Sequence, residues 1–260
     1  MRQPLARLGQ QIRRLSALLA AAFCGLWKHR ALPHDASRLE CAEWLHESCA
    51  RGLAALDLQL CTAGQPPARG LIVSNHLSYL DILAFSAALP CVFVSKAEVK
   101  RWPILGRYAR WAGTVFVRRH DRADAARANI SVAQSLRDGV PVVLFPEGTT
   151  TDGQHLLRFH STMLQPAIDS GVQITPCAIT YELEDGNPAV EVCWWGDMPL
   201  LPHVWNLMTK KVVRAQIAFG QPTIAAGDRK QLSHDLHEQV LLLQGQLRKQ
   251  GAGTRMARPD

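Results

Sequence analysis

The chain has 260 residues, of which 47% are hydrophobic and 20% charged. Those values exclude a disordered chain, and the length is within reach of a single α/β unit of about 250 residues. The formal charge of +7 suits nucleic acid, anionic lipid or phosphorylated substrates and does not choose among them.

Arg2, Arg7, Arg13 and Arg14 precede an apolar run, Leu15–Trp27, of about 13 residues. A spanning helix needs roughly 20. Three readings fit: a cleaved signal peptide, a buried core helix, and an interfacial helix with arginine on one side and Leu, Phe and Trp on the other. Ala22-Phe23-Cys24 is a poor cleavage site, which counts against the first. Lys28, His29 and Arg30 suit the third, because they would hold a helix at anionic headgroups.

A second helix is expected from about Ala36 to Leu56, where Leu39, Ala42, Leu45, Cys49, Leu53 and Leu56 recur at three- and four-residue steps. Short buried strands are then expected at Leu71–Ser74, Cys91–Val94, Thr114–Val117, Val140–Phe145, Val172–Ile179, Val190–Trp194 and Val213–Phe219. Helical segments separate most of them, notably Asp121–Arg137 and Asp228–Gln250. This alternation predicts an α/β fold with a mainly parallel central sheet flanked by helices. Residues 1–55 read as a helical membrane-associating segment, 56–250 as the α/β domain and 251–260 as a loose tail. The seven cysteines show no paired spacing and read as reduced core residues.

Ser74-Asn-His-Leu-Ser-Tyr-Leu-Asp81 follows a strand and opens an apolar helical run. A histidine can act as general base near neutral pH, best when a carboxylate fixes its tautomer. On an ideal helix a five-residue step leaves two side chains about 140° apart. His76 and Asp81 can therefore meet only if His76 sits in the turn before the helix. The plain alternative is a helix start, since Ser78-x-x-Asp81 also resembles a capping box. Next, Lys96–Trp111 interleaves Lys96, Lys100, Arg101, Arg107 and Arg110 with Trp102, Tyr108 and Trp111. That mixture fits a membrane interface, single-stranded nucleic acid, or a solvated helix with inward aromatics.

Gly113-Thr-Val-Phe-Val-Arg-Arg119 ends a strand on two arginines. They could clamp a phosphate or simply be solvated charge. In Phe145-Pro-Glu-Gly-Thr-Thr-Thr151, Gly148 lets backbone approach a ligand, and the amides and hydroxyls of Thr149–Thr151 could bind an anion. A plain glycine turn is the alternative. Val172-Gln-Ile-Thr-Pro176 has little chemistry and would shape a wall.

In this order the four segments resemble the glycerolipid acyltransferase family, which includes 1-acyl-sn-glycerol-3-phosphate acyltransferases. The shared blocks are Asn-His-x4-Asp, Gly-x-x-Phe-x-x-Arg, Phe-Pro-Glu-Gly-Thr and a hydrophobic strand ending near proline, over about Leu71 to Tyr181. The first and third are the specific ones. The resemblance implies that His76 takes the proton from a lysolipid hydroxyl while Asp81 orients it. The oxygen then attacks the thioester of acyl-CoA or acyl-acyl-carrier-protein, with no cofactor and no metal. It also implies that Arg119, Glu147, Gly148 and Thr149 hold a phosphate-bearing acceptor. On charge grounds Glu147 is expected to position Arg119 or nearby amides instead of touching phosphate.

The chain departs from the pattern after Thr149. Many phosphatidate-forming members continue Arg-Ser, whereas Thr150-Thr151-Asp152-Gly153 stands here. Arg118 or Arg158 could replace the lost charge. The altered run also resembles bacterial lyso-ornithine lipid acyltransferases, whose acceptor lacks a phosphate. The implied partners are membrane lipid and the acyl donor, not nucleic acid. The implied location is the cytoplasmic face of the inner membrane, monotopic or peripheral. Two rivals remain: a hydrolase in which the His–Asp pair activates water, and a non-catalytic binding module. No Gly-x-Ser-x-Gly elbow is present to support a serine hydrolase.

Overall fold

Leu71, Ile72 and Val73, at 0–1% exposure, form the centre of the sheet. They belong to β2 (Leu71–Ser74). In this computed structural model, residues 2–102, 104–118 and 121–256 are described, apart from the side chains of 2–6, 122 and 252–256. The other strands are β1 (Leu58–Ala63), β3 (Val92–Lys96), β4 (Val115–Val117), β5 (Val142–Leu144), β6 (Gln173–Leu183), β7 (Val213–Phe219) and β8 (Thr223–Ile224). They form one sheet in the order β1-β7-β6-β2-β5-β3-β4, with β8 on β6. Strands β6, β2, β5, β3 and β4 are mutually parallel; β7 and β8 run antiparallel to β6.

The order matters for the site. From β2 the chain crosses over β5 to reach β3, whereas from β5 it crosses back over β2 to reach β6. The two neighbours β2 and β5 therefore send their connections in opposite directions. That is a topological switch point, where α/β sheets open a crevice beyond the strands' carboxyl ends. The Asn75-His76 and Pro146-Glu147 segments leave from those ends.

Two apolar layers cover the sheet. On one face α2 (Arg38–Ala55) and α3 (Leu80–Ala88) pack Trp44, Leu45, Leu53, Leu80 and Phe85 with Ile72. On the other, α5 (Arg122–Arg137), α6 (Gln165–Ser170) and α9 (Arg229–Met256) pack Val132, Leu136, Ala167, Leu236 and Val240 with Leu71 and Val73. Successive β2 residues thus feed opposite cores, the period-two rule of a strand buried on both sides. The remaining helices are α1 (Arg2–Arg30), α4 (Leu105–Trp111), α7 (Pro188–Glu191) and α8 (Leu200–Leu207).

Four expectations change. Residues 1–55 are not one appendage, because α2 buries Trp44, Leu45, Cys49 and Leu53 in the main core. Val190–Trp194 is not a strand. Asn187 accepts from the Ala189 amide at 3.0 Å and Pro188 occupies the first turn, so Pro188–Glu191 winds as a helix. Of the tail expected to be loose, 251–260, the part to Met256 continues α9, and residues 257–260 lie outside the described residues. The edge strand β1 was not expected because it buries only Leu58 and so carries no apolar run. The cysteines are all free; four are buried, while Cys61 is exposed.

Candidate active site

The turn between β2 and α3 is built by side chains that complete its backbone. Asn75 is 1% exposed and imitates a paired strand residue. Its Nδ2 donates to the Ile179 carbonyl at 2.9 Å, and its Oδ1 accepts the Ile179 amide at 2.8 Å. The turn is thereby tied to β6. Helix α3 starts at Leu80, so His76 lies four residues ahead of it and can fold back. His76 Nδ1 stands 2.7 Å from Asp81 Oδ2.

Asp81 is fully buried, and four donors converge on it. Oδ2 also accepts the amides of Leu77 at 2.6 Å and Ser78 at 3.1 Å, and Oδ1 accepts the Tyr181 hydroxyl at 2.6 Å. Burial, reinforced by the neighbouring Asp81 charge, pushes the Tyr181 phenol far up, so it keeps its proton and donates. Because the carboxylate that faces it only accepts, His76 Nδ1 is the donor of this pair, and in the neutral ring Nε2 keeps its lone pair. Asp81 thus serves both alternatives that its sequence left open: it binds amides at the helix entry and orients the histidine. The ring plane is set from the other side by Phe145, stacked at 4.1 Å and 9°. The His76 side chain remains 20% exposed, open to a substrate.

Glu147 fastens the β5 turn to the β2 turn. It is 4% exposed. Its Oε1 accepts the His76 amide and its Oε2 the Leu157 amide, both at 2.8 Å. The Thr151 amide donates to the His76 carbonyl at 3.0 Å, adding a second tie. Gly148 adopts φ 75°, a conformation that disfavours any residue with a Cβ. Thr149 is exposed and Thr150 half-buried. Their amides make no hydrogen bond among the described residues, leaving two donors at the rim for an anion.

Known proteins resemble this chain in sequence and in fold. Residues 63–180 match the Acyltransferase family. Lyso-ornithine lipid O-acyltransferase of Pseudomonas aeruginosa is 36% identical over 76% of each chain. The chain belongs to the acyltransferase family. 1-Acyl-sn-glycerol-3-phosphate acyltransferase of Neisseria gonorrhoeae is likewise 36% identical, over 72% of this chain and 75% of its own. The crystal structure of the 1-acyl-sn-glycerophosphate acyltransferase of Thermotoga maritima superposes with a TM-score of 0.67 at 19% identity, covering both chains completely. That likeness establishes the shared fold. The protein is an O-acyltransferase.

Within this acyltransferase, His76, Asp81, Glu147 and Gly148 come together, with Thr149 at the rim. Each Glu147 oxygen accepts a backbone amide, so the side chain organises the two turns, in keeping with the expectation that it positions nearby amides. Arg118 corrects an expectation. Its amide donates to Asp124 Oδ2 at 2.7 Å, and its guanidinium lies 3.5 Å from Asp121 and Asp124. It also sits three strands from β2, about 14 Å at the usual strand spacing. Its amide and guanidinium are thus engaged by the first turn of α5, whose N-cap is Asp121, which draws it away from the expected role of a phosphate clamp. Arg119 lies outside the described residues. Arg158 is exposed and has no partner among the described residues. It follows Leu157, whose amide Glu147 holds, and so stands at the rim.

Tyr181 was not read as part of the site, because its 100-residue separation from Asp81 leaves no local pattern. The same holds for Trp194, whose amide donates to the Leu77 carbonyl at 2.8 Å, and for Tyr79, which is 3.2 Å from His203.

Burial, partly offset by the two amides, pushes the Glu147 carboxyl up to about 7; the nearby Asp81 charge adds to the rise. The folded state therefore holds this proton more tightly than the unfolded chain. Glu147's contribution to stability is full below about pH 4.5 and falls away as pH rises to about 7, by roughly 3 kcal/mol. Wild type should lose stability relative to Glu147→Gln across that window. Parallel pH dependences in chemical denaturation would contradict the assignment.

Proposed function

We propose that the protein transfers a fatty acyl chain from acyl-CoA or acyl-acyl-carrier-protein to the free hydroxyl of a lysolipid, with His76 as general base. The observation that carries this reading is the His76–Asp81 pair, with Nε2 free and the carboxylate buried under four donors. His76 Nε2 takes the hydroxyl proton as the oxygen attacks the thioester carbonyl. The tetrahedral intermediate then expels the thiolate, which recovers the proton from the imidazolium, leaving an ester and a free thiol. Asp81 stabilises the transient cation without moving.

For the acceptor, 1-acyl-sn-glycerol-3-phosphate is our first reading, giving phosphatidic acid. The free Thr149 and Thr150 amides and the unpartnered Arg158 support it, and family resemblance adds Arg119. A lyso-ornithine lipid is the second reading. The missing arginine after Thr149 and the engagement of Arg118 with Asp121 and Asp124 favour it. An acceptor panel decides between them. A kcat/KM at least about tenfold higher for the phosphate-bearing acceptor supports the first reading, and the reverse ratio supports the second.

A membrane setting is supported by α1, which is amphipathic in the inverted sense. Its polar Gln11 and Arg14 are buried. Gln11 donates to the Trp205 carbonyl at 3.0 Å, and Arg14 donates to the carbonyls of Met208, Lys210 and Lys211. Leu8, Ile12, Leu15, Leu19, Phe23 and Trp27, spaced three or four apart, are all exposed. A stripe of that length facing water has no partner among the described residues and fits the plane of a bilayer interface. No helix among the described residues is long and apolar enough to cross a membrane. The acyl donors are cytosolic, so we assign the protein to the cytoplasmic face of the inner membrane, monotopic or peripheral.

Phe23 and Trp27 are each 67% exposed. The double change Phe23→Ser/Trp27→Ser is expected to weaken partitioning into phosphatidylcholine vesicles about 100-fold, at about 1.5 kcal/mol per ring. The unfolding midpoint should stay where it is. Undiminished vesicle binding would remove α1 from the membrane contact.

A further inference from the structure

We propose that the cleft between the Ala97–Arg101 turn and α4 is a receptor for anionic lipid headgroups beside the mouth of the active site. It is lined by Lys100, Arg101, Trp102, Ile104, Arg107 and Arg110. All four cations are exposed. None has a carboxylate partner among the described residues. Elsewhere on the surface many basic side chains, such as Arg13, Lys28, Arg51 and Arg127, are paired. Four like charges around one cleft repel each other, and an array of phosphates would relieve that repulsion. Two of the cations are also held in place by rings: Lys100 lies 5.9 Å from the Phe116 centroid and Arg107 lies 5.8 Å from that of Trp111.

The rim is what selects a lipid surface over an acidic protein. Ile104 is 56% and Leu105 37% exposed. Helix α4 is fastened to the carboxyl half of α1. Tyr108 donates to the Ala22 carbonyl at 2.5 Å, and His29 stacks on Trp111 at 4.1 Å. Basic cleft, apolar rim and the Phe23–Trp27 end of the α1 stripe are therefore adjoining parts of one surface. A bilayer satisfies both kinds of group at once, with phosphates on the cations and acyl chains on the apolar side chains. The acidic face of an acyl carrier protein would cover the cations and leave Ile104 and Leu105 against water. On the inner side, Trp102 meets Trp194 edge-on at 5.8 Å, and the Trp194 amide holds the Leu77 carbonyl next to His76. Headgroups in the cleft would lie at the entrance that a lysolipid must use.

This inference rests on the membrane reading above, and vesicle binding of the full chain separates the two. The probes are phosphatidylcholine vesicles and vesicles containing about one-third phosphatidylglycerol. A juxtamembrane cation contributes about fivefold to binding an anionic surface. Arg107→Gln/Arg110→Gln should therefore lower affinity for the anionic vesicles about 25-fold at low salt. Binding to phosphatidylcholine should be unchanged, and high salt should erase the difference. Lys100→Gln/Arg101→Gln should do the same, which guards against a folding defect in either variant. Anionic-vesicle binding equal to wild type in both variants overturns the role of the cleft. So does unchanged vesicle binding with a loss confined to acyl carrier protein, which would give the surface to the donor. Failure of wild type to bind either vesicle overturns the membrane reading together with the cleft.

Discussion

His76→Ala is expected to lower kcat for acyl transfer about 10³-fold or more, with little change in the Michaelis constant of either substrate. The ring presents its Nε2 as a base at the opening, and general base catalysis accounts for about 10²–10⁴ in rate. Attack by a neutral hydroxyl without proton removal also lacks the acid that returns the proton to the thiol. The fold should survive, because the ring contacts to Asp81 and Phe145 are lost but the backbone ties of this residue remain. Its amide binds Glu147 and its carbonyl accepts from Thr151. A steady-state assay with a denaturation control checks this. Near wild-type turnover in the folded variant would remove His76 from the reaction.

Asp81→Asn is expected to lower kcat about 10²–10³-fold, leaving a measurable remainder, and to destabilise the protein by about 1–3 kcal/mol. The base survives in this variant, but the charge that stabilises its imidazolium is gone. The stability loss follows from counting donors. Four groups point hydrogens at this carboxylate, and an asparagine presents an amide nitrogen in place of one oxygen. The Tyr181 hydroxyl can rotate to accept from that nitrogen, so the loss stays below that of an orphaned buried charge. An unchanged kcat with only reduced stability would make Asp81 a purely structural cap.

The parts of this molecule that were legible in its sequence are those made by neighbours. β2 and β7 are legible at their observed bounds because β2 is buried along its length and β7 alternates apolar with polar residues before its buried Ile217–Phe219 end. The His76–Asp81 contact followed from helix geometry, since five residues suffice only across a turn. Tyr181 and Asn75 act across 100 and 104 residues, and no spacing announces a contact that the sheet order creates. Arg118 read as a clamp because a strand ending in arginines suggests one. Asp121 and Asp124, which engage it, were visible but belonged to the next helix. The Leu15–Trp27 run marked only part of a 29-residue helix. The rest is held by Gln11 and Arg14 against the carbonyls of Trp205 and Met208, each 194 positions away in sequence. Val190–Trp194 misled because β-branched and aromatic residues there outweighed the Asn187-Pro188 start signal.

Transfer chemistry at His76 is tested most directly by following the fate of a labelled acyl chain. Purified protein is given labelled acyl-CoA or acyl-acyl-carrier-protein with a lysolipid in neutral micelles. The label is then partitioned between diacyl lipid and free fatty acid, for wild type and His76→Ala. We expect wild type to put the label into diacyl lipid and the variant to leave it on the donor. Label released as free fatty acid alone, or diacyl lipid formed equally by both proteins, would contradict the account.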